Sequence, residues 1–285
     1  MSEIIINHTT LVYEIMGQGL PVAFTPAGFW SLDRARPVAE RLSEAGYRVL
    51  FYDRPNCGAS GIAIYESSSE VMVWAEYLHA LLQHFGMTPA YVGGGSAGAL
   101  VSLLVGHRYP EAVKGLLLIS PPTGDPELWE SAGERYRESI KIAEQQGMQA
   151  LTEILPWSEL IEQNPANRNR LLAMNPAEFT NVMRRWNAWI MSGRAHVAGL
   201  TDEQLGAITA PAIIVSGSGG HHPQQAAEDL HGLLLHSELI LPAEYFPPDE
   251  LDELFKRMEQ HSGQEYDAAM TPILDQFIRR VEASD

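Results

Sequence analysis

The chain has 285 residues, 45% of them hydrophobic, and a formal net charge of −17. That is enough for one large domain, or for a core with an inserted subdomain, and so acidic a balance argues against nucleic acid or an anionic membrane surface as partner. A single cysteine, Cys57, allows no internal disulfide; with an acidic start lacking a basic-then-apolar leader, and no apolar run of membrane-spanning length, it sets the expectation of a cytoplasmic protein.

Residues 4–6 and 11–15 are β-rich runs around Asn7-His8, the pattern of an opening hairpin. Residues 22–25 form a short apolar strand that enters the turn Pro26-Ala27-Gly28-Phe29-Trp30. Leu32, Ala35, Val38, Ala39 and Leu42 recur at helical spacing, and Gly46 ends that helix. Residues 47–52 are too apolar for a solvent face and predict a strand interior to a parallel sheet. A loop over 53–61 and a helix over 70–85 follow, the helix with Val71, Trp74, Leu78 and Leu81 in register. A strand ending at Gly93-Gly94-Gly95, a small-residue helix over 97–108 and a strand over 113–119 complete the first half. Strand and helix in steady alternation predict a parallel sheet covered on both faces.

The alternation stops at Asp125. Residues 125–206 read as helical throughout, rich in tryptophan and methionine and broken by Pro156, Pro165 and Pro176. They are read as an inserted helical cap, with residues 1–124 and 207–285 as the core. Sheet alternation resumes over 211–241, and two helices, 248–261 and 268–281, close the chain.

Gly94-Gly95-Ser96-Ala97-Gly98 matches G-x-S-x-G, a turn in which small flanking residues let a strained serine sit between strand and helix. The helix N-terminus then aims free N–H groups at charge developing near the serine. The same letters also fit G-x-G-x-x-G, the dinucleotide fingerprint. That reading needs an acid at the end of the next strand, and residues 113–120 contain none.

Four segments in order resemble the α/β-hydrolase superfamily over nearly the whole chain. They are Ala27-Gly28-Phe29, the loop Asp53-Arg54-Pro55-Asn56-Cys57-Gly58-Ala59-Ser60, the serine turn with its sequel Arg108-Tyr109-Pro110-Glu111-Ala112, and residues 204–211. The resemblance implies a mostly parallel twisted sheet flanked by helices with an inserted helical cap. It implies Ser96 as nucleophile and an oxyanion hole from the backbone N–H groups of Phe29 and Ala97. It also implies an acid after the strand at 212–216 and a histidine after the strand at 238–241.

Both of those partners are missing. The acid would fall near Gly219 and the histidine near Tyr245, and Ala27 replaces a family histidine. A serine without a base is a poor nucleophile, so three outcomes stand. The base has moved, with His221 and His222 in the loop that should hold the acid. His222 is then the first choice, oriented by Glu244 or Asp125, and His261 is a later candidate. Alternatively, the pocket serves a lyase, cyclase or isomerase with Tyr245 as proton donor or anchor. Or the chain is an inactive binder. In each case the aromatic and methionine content implies a hydrophobic small-molecule ligand, with Trp30, Trp186 and Met183 as binding residues, although such residues at helical spacing also build a cap core. No cofactor or metal is expected, since adjacent histidines rarely ligate one ion and no third ligand is evident. The leading expectation is ester or acyl hydrolysis through Ser96.

Overall fold

Asn7 and His8 both take up positive φ, 47° and 63°, which lets a two-residue turn reverse the chain with the twist its strands need. They join β1 (Ser2–Ile6) to β2 (Thr9–Met16) in antiparallel register, Ser2 opposite Tyr13 through Ile6 opposite Thr9. The computed structural model describes residues 1–125, 129–192, 197, 199–219, 222–261 and 264–284.

The hairpin is the edge of an eight-stranded sheet of order β1-β2-β4-β3-β5-β6-β7-β8. The remaining strands are β3 (Leu20–Thr25), β4 (Tyr47–Tyr52), β5 (Ala90–Gly95), β6 (Val113–Ile119), β7 (Ala212–Val215) and β8 (Ser237–Ile240). β2 pairs antiparallel with β4, and every pairing from β4 to β8 is parallel. Alternate residues face opposite sides: Val49, Phe51, Leu117 and Ile119 join one apolar cluster, and Leu50, Tyr52, Leu116 and Leu118 the other. Burial on both faces accounts for strands without a polar face.

Three helices cover the first side: α1 (Arg36–Glu44), α12 (Gln264–Ala269) and α13 (Thr271–Ser284). The second carries α2 (Glu70–His84), α3 (Ala97–Arg108) and α10 (Gln224–Leu233). Between β6 and β7 lie α4 (Glu130–Gln146), α5 (Met148–Leu151), α6 (Trp157–Gln163), α7 (Ala166–Leu172), α8 (Pro176–Ile190) and α9 (Asp202–Gly206). The three prolines noted in the sequence stand at helix starts, where no N–H is needed. Pro156 and Pro165 precede α6 and α7, and Pro176 opens α8 behind Asn175, whose side chain caps the Ala177 and Glu178 amides. Beyond β8 runs α11 (Pro248–His261). Among the described residues no helix is long and apolar enough to cross a membrane.

Candidate active site

β5 ends in three glycines because its last turn has no room for side chains. Ser96 follows at φ 51°, ψ −114°, a strained conformation that surrounding structure must impose. A Cβ on Gly98 would lie 2.2 Å from the Thr25 carbonyl oxygen, so the start of α3 is locked against the end of β3. The Ser96 amide donates to the Ile119 carbonyl at 3.0 Å, tying the bend to β6. Ser96 keeps partial exposure while Gly95 and Ala97 are buried.

The loop after β7 brings a histidine to this serine. His222 Nε2 lies 2.7 Å from Ser96 Oγ. With the ring proton on Nδ1, Nε2 accepts the hydroxyl hydrogen. The approach depends on Gly217, where a Cβ would stand 2.6 Å from His222 Cβ and 2.9 Å from Ser120 Oγ. Gly219, at φ 86°, accepts from the His222 amide at 3.3 Å and turns the chain inward. The position where the family pattern calls for an acid is thus a glycine whose conformation an aspartate would resist. The root of the loop is gripped by the Tyr266 hydroxyl, which donates to the Ser216 carbonyl. His221 lies outside the described residues, as does the side chain of His261.

Glu244 and Asp125, the two carboxylates expected to orient the base, are both exposed. A carboxyl that sequence reasoning passed over stands against the serine turn. Asp267, in α12, is 7% exposed, and its Oδ2 lies 2.4 Å from where a Gly95 Cβ would be. Burial pushes its pKa from the ordinary 3.8 up to about 8. The only signal in the sequence is an acid set between Tyr266 and Ala268-Ala269-Met270 just ahead of the amphipathic last helix.

Ala97 opens α3 and Phe29 sits in the turn after β3, and among the described residues neither amide donates to a backbone carbonyl. Arg54, fully buried, braces that turn by donating to the Gly28 carbonyl at 2.6 Å and the Ala27 carbonyl at 3.3 Å, with its guanidinium 4.3 Å from the Trp74 ring centroid. Asp53 secures the same region, accepting from the Leu32 amide at 2.5 Å and the Ala59 amide at 2.8 Å. Burial raises its pKa to about 6, those two amides opposing the shift.

The four other expected side chains are Tyr245, Met183, Trp186 and Trp30. Tyr245 ends the short turn Pro242–Glu244, is 49% exposed, and makes no hydrogen bond to Ser96 or His222. Tyr245 stands five residues after β8, and three further helices follow it. Met183 is fully buried on the apolar stripe of α8, with Phe179, Trp186 and Ile190, packed toward α4; it is core, as its helical spacing allowed. Trp186 is buried in the same stripe, edge-on to Tyr136, and its ring N–H has no partner. Trp30 is 46% exposed beneath the Arg34 guanidinium.

A mostly parallel sheet with a strained serine between its central strand and the following helix is the α/β-hydrolase fold. Residues 21–141 match the family described as alpha/beta hydrolase fold. Over 217 residues the chain is 25% identical to a proline iminopeptidase of Thermoplasma volcanium, covering 70% of this chain and 73% of that protein. Over 141 residues it is 24% identical to a proline iminopeptidase of Clostridioides difficile, and there it spans 48% of the relative's length. A thermophilic esterase from Thermogutta terrifontis superposes with a TM-score of 0.61 over 96% of this chain and 94% of its own, at 18% identity, a likeness of fold alone.

Proposed function

We propose that the chain is a serine hydrolase that cleaves an ester or related acyl bond in a small, largely apolar molecule held between the sheet and the helical insertion, which acts as its cap. The observation that carries this reading is the 2.7 Å contact between Ser96 Oγ and His222 Nε2. The hydroxyl attacks the substrate carbonyl carbon while its proton passes to Nε2. The Ala97 and Phe29 N–H groups receive the oxyanion, an interaction worth about 3–4 kcal/mol per well-placed donor. Collapse expels the leaving group, which takes the proton back from His222. Water then attacks the acyl-enzyme with His222 as base. The names of the relatives, peptidase and esterase among them, support acyl transfer as the reaction class. The free, buried Cys57 accords with the reducing cytoplasm we assign to the protein.

The test is turnover of p-nitrophenyl butyrate together with labelling by a fluorophosphonate. Ser96→Ala should abolish both, and His222→Ala should lower kcat by about 1,000-fold or more. Tyr245→Phe should leave turnover unchanged. Full turnover by Ser96→Ala, or dependence on Tyr245, overturns the assignment and favours non-hydrolytic chemistry.

A further inference from the structure

Above the Phe29 turn, the structure gathers positive charge and buried N–H donors without matching acceptors. The groups are layered. Arg54 lies on Trp74, Trp74 meets Phe29 edge-on at 5.5 Å, and the Arg135 guanidinium covers the Phe29 ring at 4.1 Å. Arg135 comes from α4 in the helical insertion, so sheet core and insertion meet at this aromatic pair.

These cations are satisfied only in part, Arg54 through one nitrogen that donates to the Gly28 and Ala27 carbonyls. Arg135 has one carboxylate nearby, Glu70, at 4.0 Å, beyond hydrogen-bonding distance. The Glu70 oxygens are already engaged, one accepting from Tyr136 at 2.6 Å and the other from Asn56 at 2.9 Å. The Arg135 Nε is buried with no acceptor. So are the Arg54 Nε and Nη1 and the Trp186 Nε1, the latter edge-on to Tyr136, which follows Arg135 in α4. A buried donor left unmet is costly, more so when charged. Arg54 and Arg135 stand at the two ends of one stack, and their unmet donors call for an acceptor-rich group. The Arg135 side chain retains 12% exposure.

From this cluster we infer that the substrate carries a carboxylate, which Arg135 binds while the acyl carbon lies over Ser96. The inference rests on the hydrolase reading for the location of the carbonyl. Because Phe29 supplies the proposed oxyanion donor and its ring bears Arg135, the acidic group and the cleaved bond are separated by only a short spacer. Half-esters of short dicarboxylic acids have that form. Fork-like pairing of guanidinium and carboxylate gives the interaction its strength and direction.

The experiment compares the mono-p-nitrophenyl ester of glutaric acid with p-nitrophenyl hexanoate, an uncharged chain of similar reach. The parent should favour the anionic ester by about 10- to 100-fold in kcat/KM. In Arg135→Met that ratio should collapse to about one, and Arg135→Lys should restore part of it. Reading the ratio cancels any general loss of active fold. Glutarate alone supplies a readout without turnover, since it should raise the Tm of the parent and of Ser96→Ala but not of Arg135→Met. A parent that prefers the neutral ester, a preference that survives Arg135→Met, or a parent that glutarate does not stabilise overturns the proposal. Glutarate stabilisation that depends on Arg135, in a protein that cleaves neither ester, upholds the acid site and sinks the hydrolase reading alone.

Discussion

Gly95 has no space for even a methyl group, because the Asp267 carboxyl occupies the volume a side chain would take. Gly95→Ala should cost about 1–3 kcal/mol of stability through overpacking, and pairing it with Asp267→Ala should recover much of that loss; urea denaturation of the two single variants and the double gives the coupling directly. Asp267 also makes stability depend on pH. Its native pKa of about 8 exceeds the ordinary 3.8, so between those values the folded state holds a proton that the unfolded chain releases. Its contribution is therefore complete in acid and is lost as pH rises from about 4 to about 8. Melting temperature against pH should fall less steeply over that range in Asp267→Asn than in the parent. This residue was not legible in the sequence, because an acid beside a helix start is ordinarily solvated and nothing local marks it as buried. Ser96 was legible, because a serine between obligatory small residues has few other uses.

At the scale of elements, local pattern did most of the work. The hairpin, the buried strands, the amphipathic helices and the interruptions at Pro156, Pro165 and Pro176 all follow from periodicity and backbone chemistry. What periodicity could not separate was core from cavity. The α8 stripe reads the same whether Met183 meets a ligand or a neighbouring helix, and packing toward α4 decides for the helix. Met183→Ala should therefore destabilise the fold by about 2–4 kcal/mol, read as a lower urea midpoint, with the ester-to-ester preference of the native fraction intact. The fate of Tyr245 has the same origin. Its place was set by counting from β8, and α11 and α12 intervene before the final helix, so the count led to an exposed turn.

Across the whole molecule, the site is assembled from segments far apart in sequence. The serine turn after β5, the loop after β7 and α12 converge at the ends of adjacent parallel strands, where ligands bind in open sheets of this kind. The fold could be read from the order of elements and the family resemblance, while His222 stood as the first choice in one of three open outcomes. The Arg135 and Phe29 stack could not be read, because it exists only once the insertion folds back onto the sheet. The strong negative charge acts at this scale too. Self-repulsion should make the chain less stable at low ionic strength, so Tm should rise between about 10 and 150 mM sodium chloride, the range over which screening shortens from about 30 to about 8 Å.

The histidine that meets Ser96 leaves the chain before β8, ahead of the acidic helix α11. A protease clip within that helix would consequently leave Ser96 and His222 on one uninterrupted fragment. The severed C-terminal piece would still be needed as a clamp, because it carries the phenol that fastens the histidine's loop. Its dissociation, and not the cut itself, would be the event that silences the enzyme.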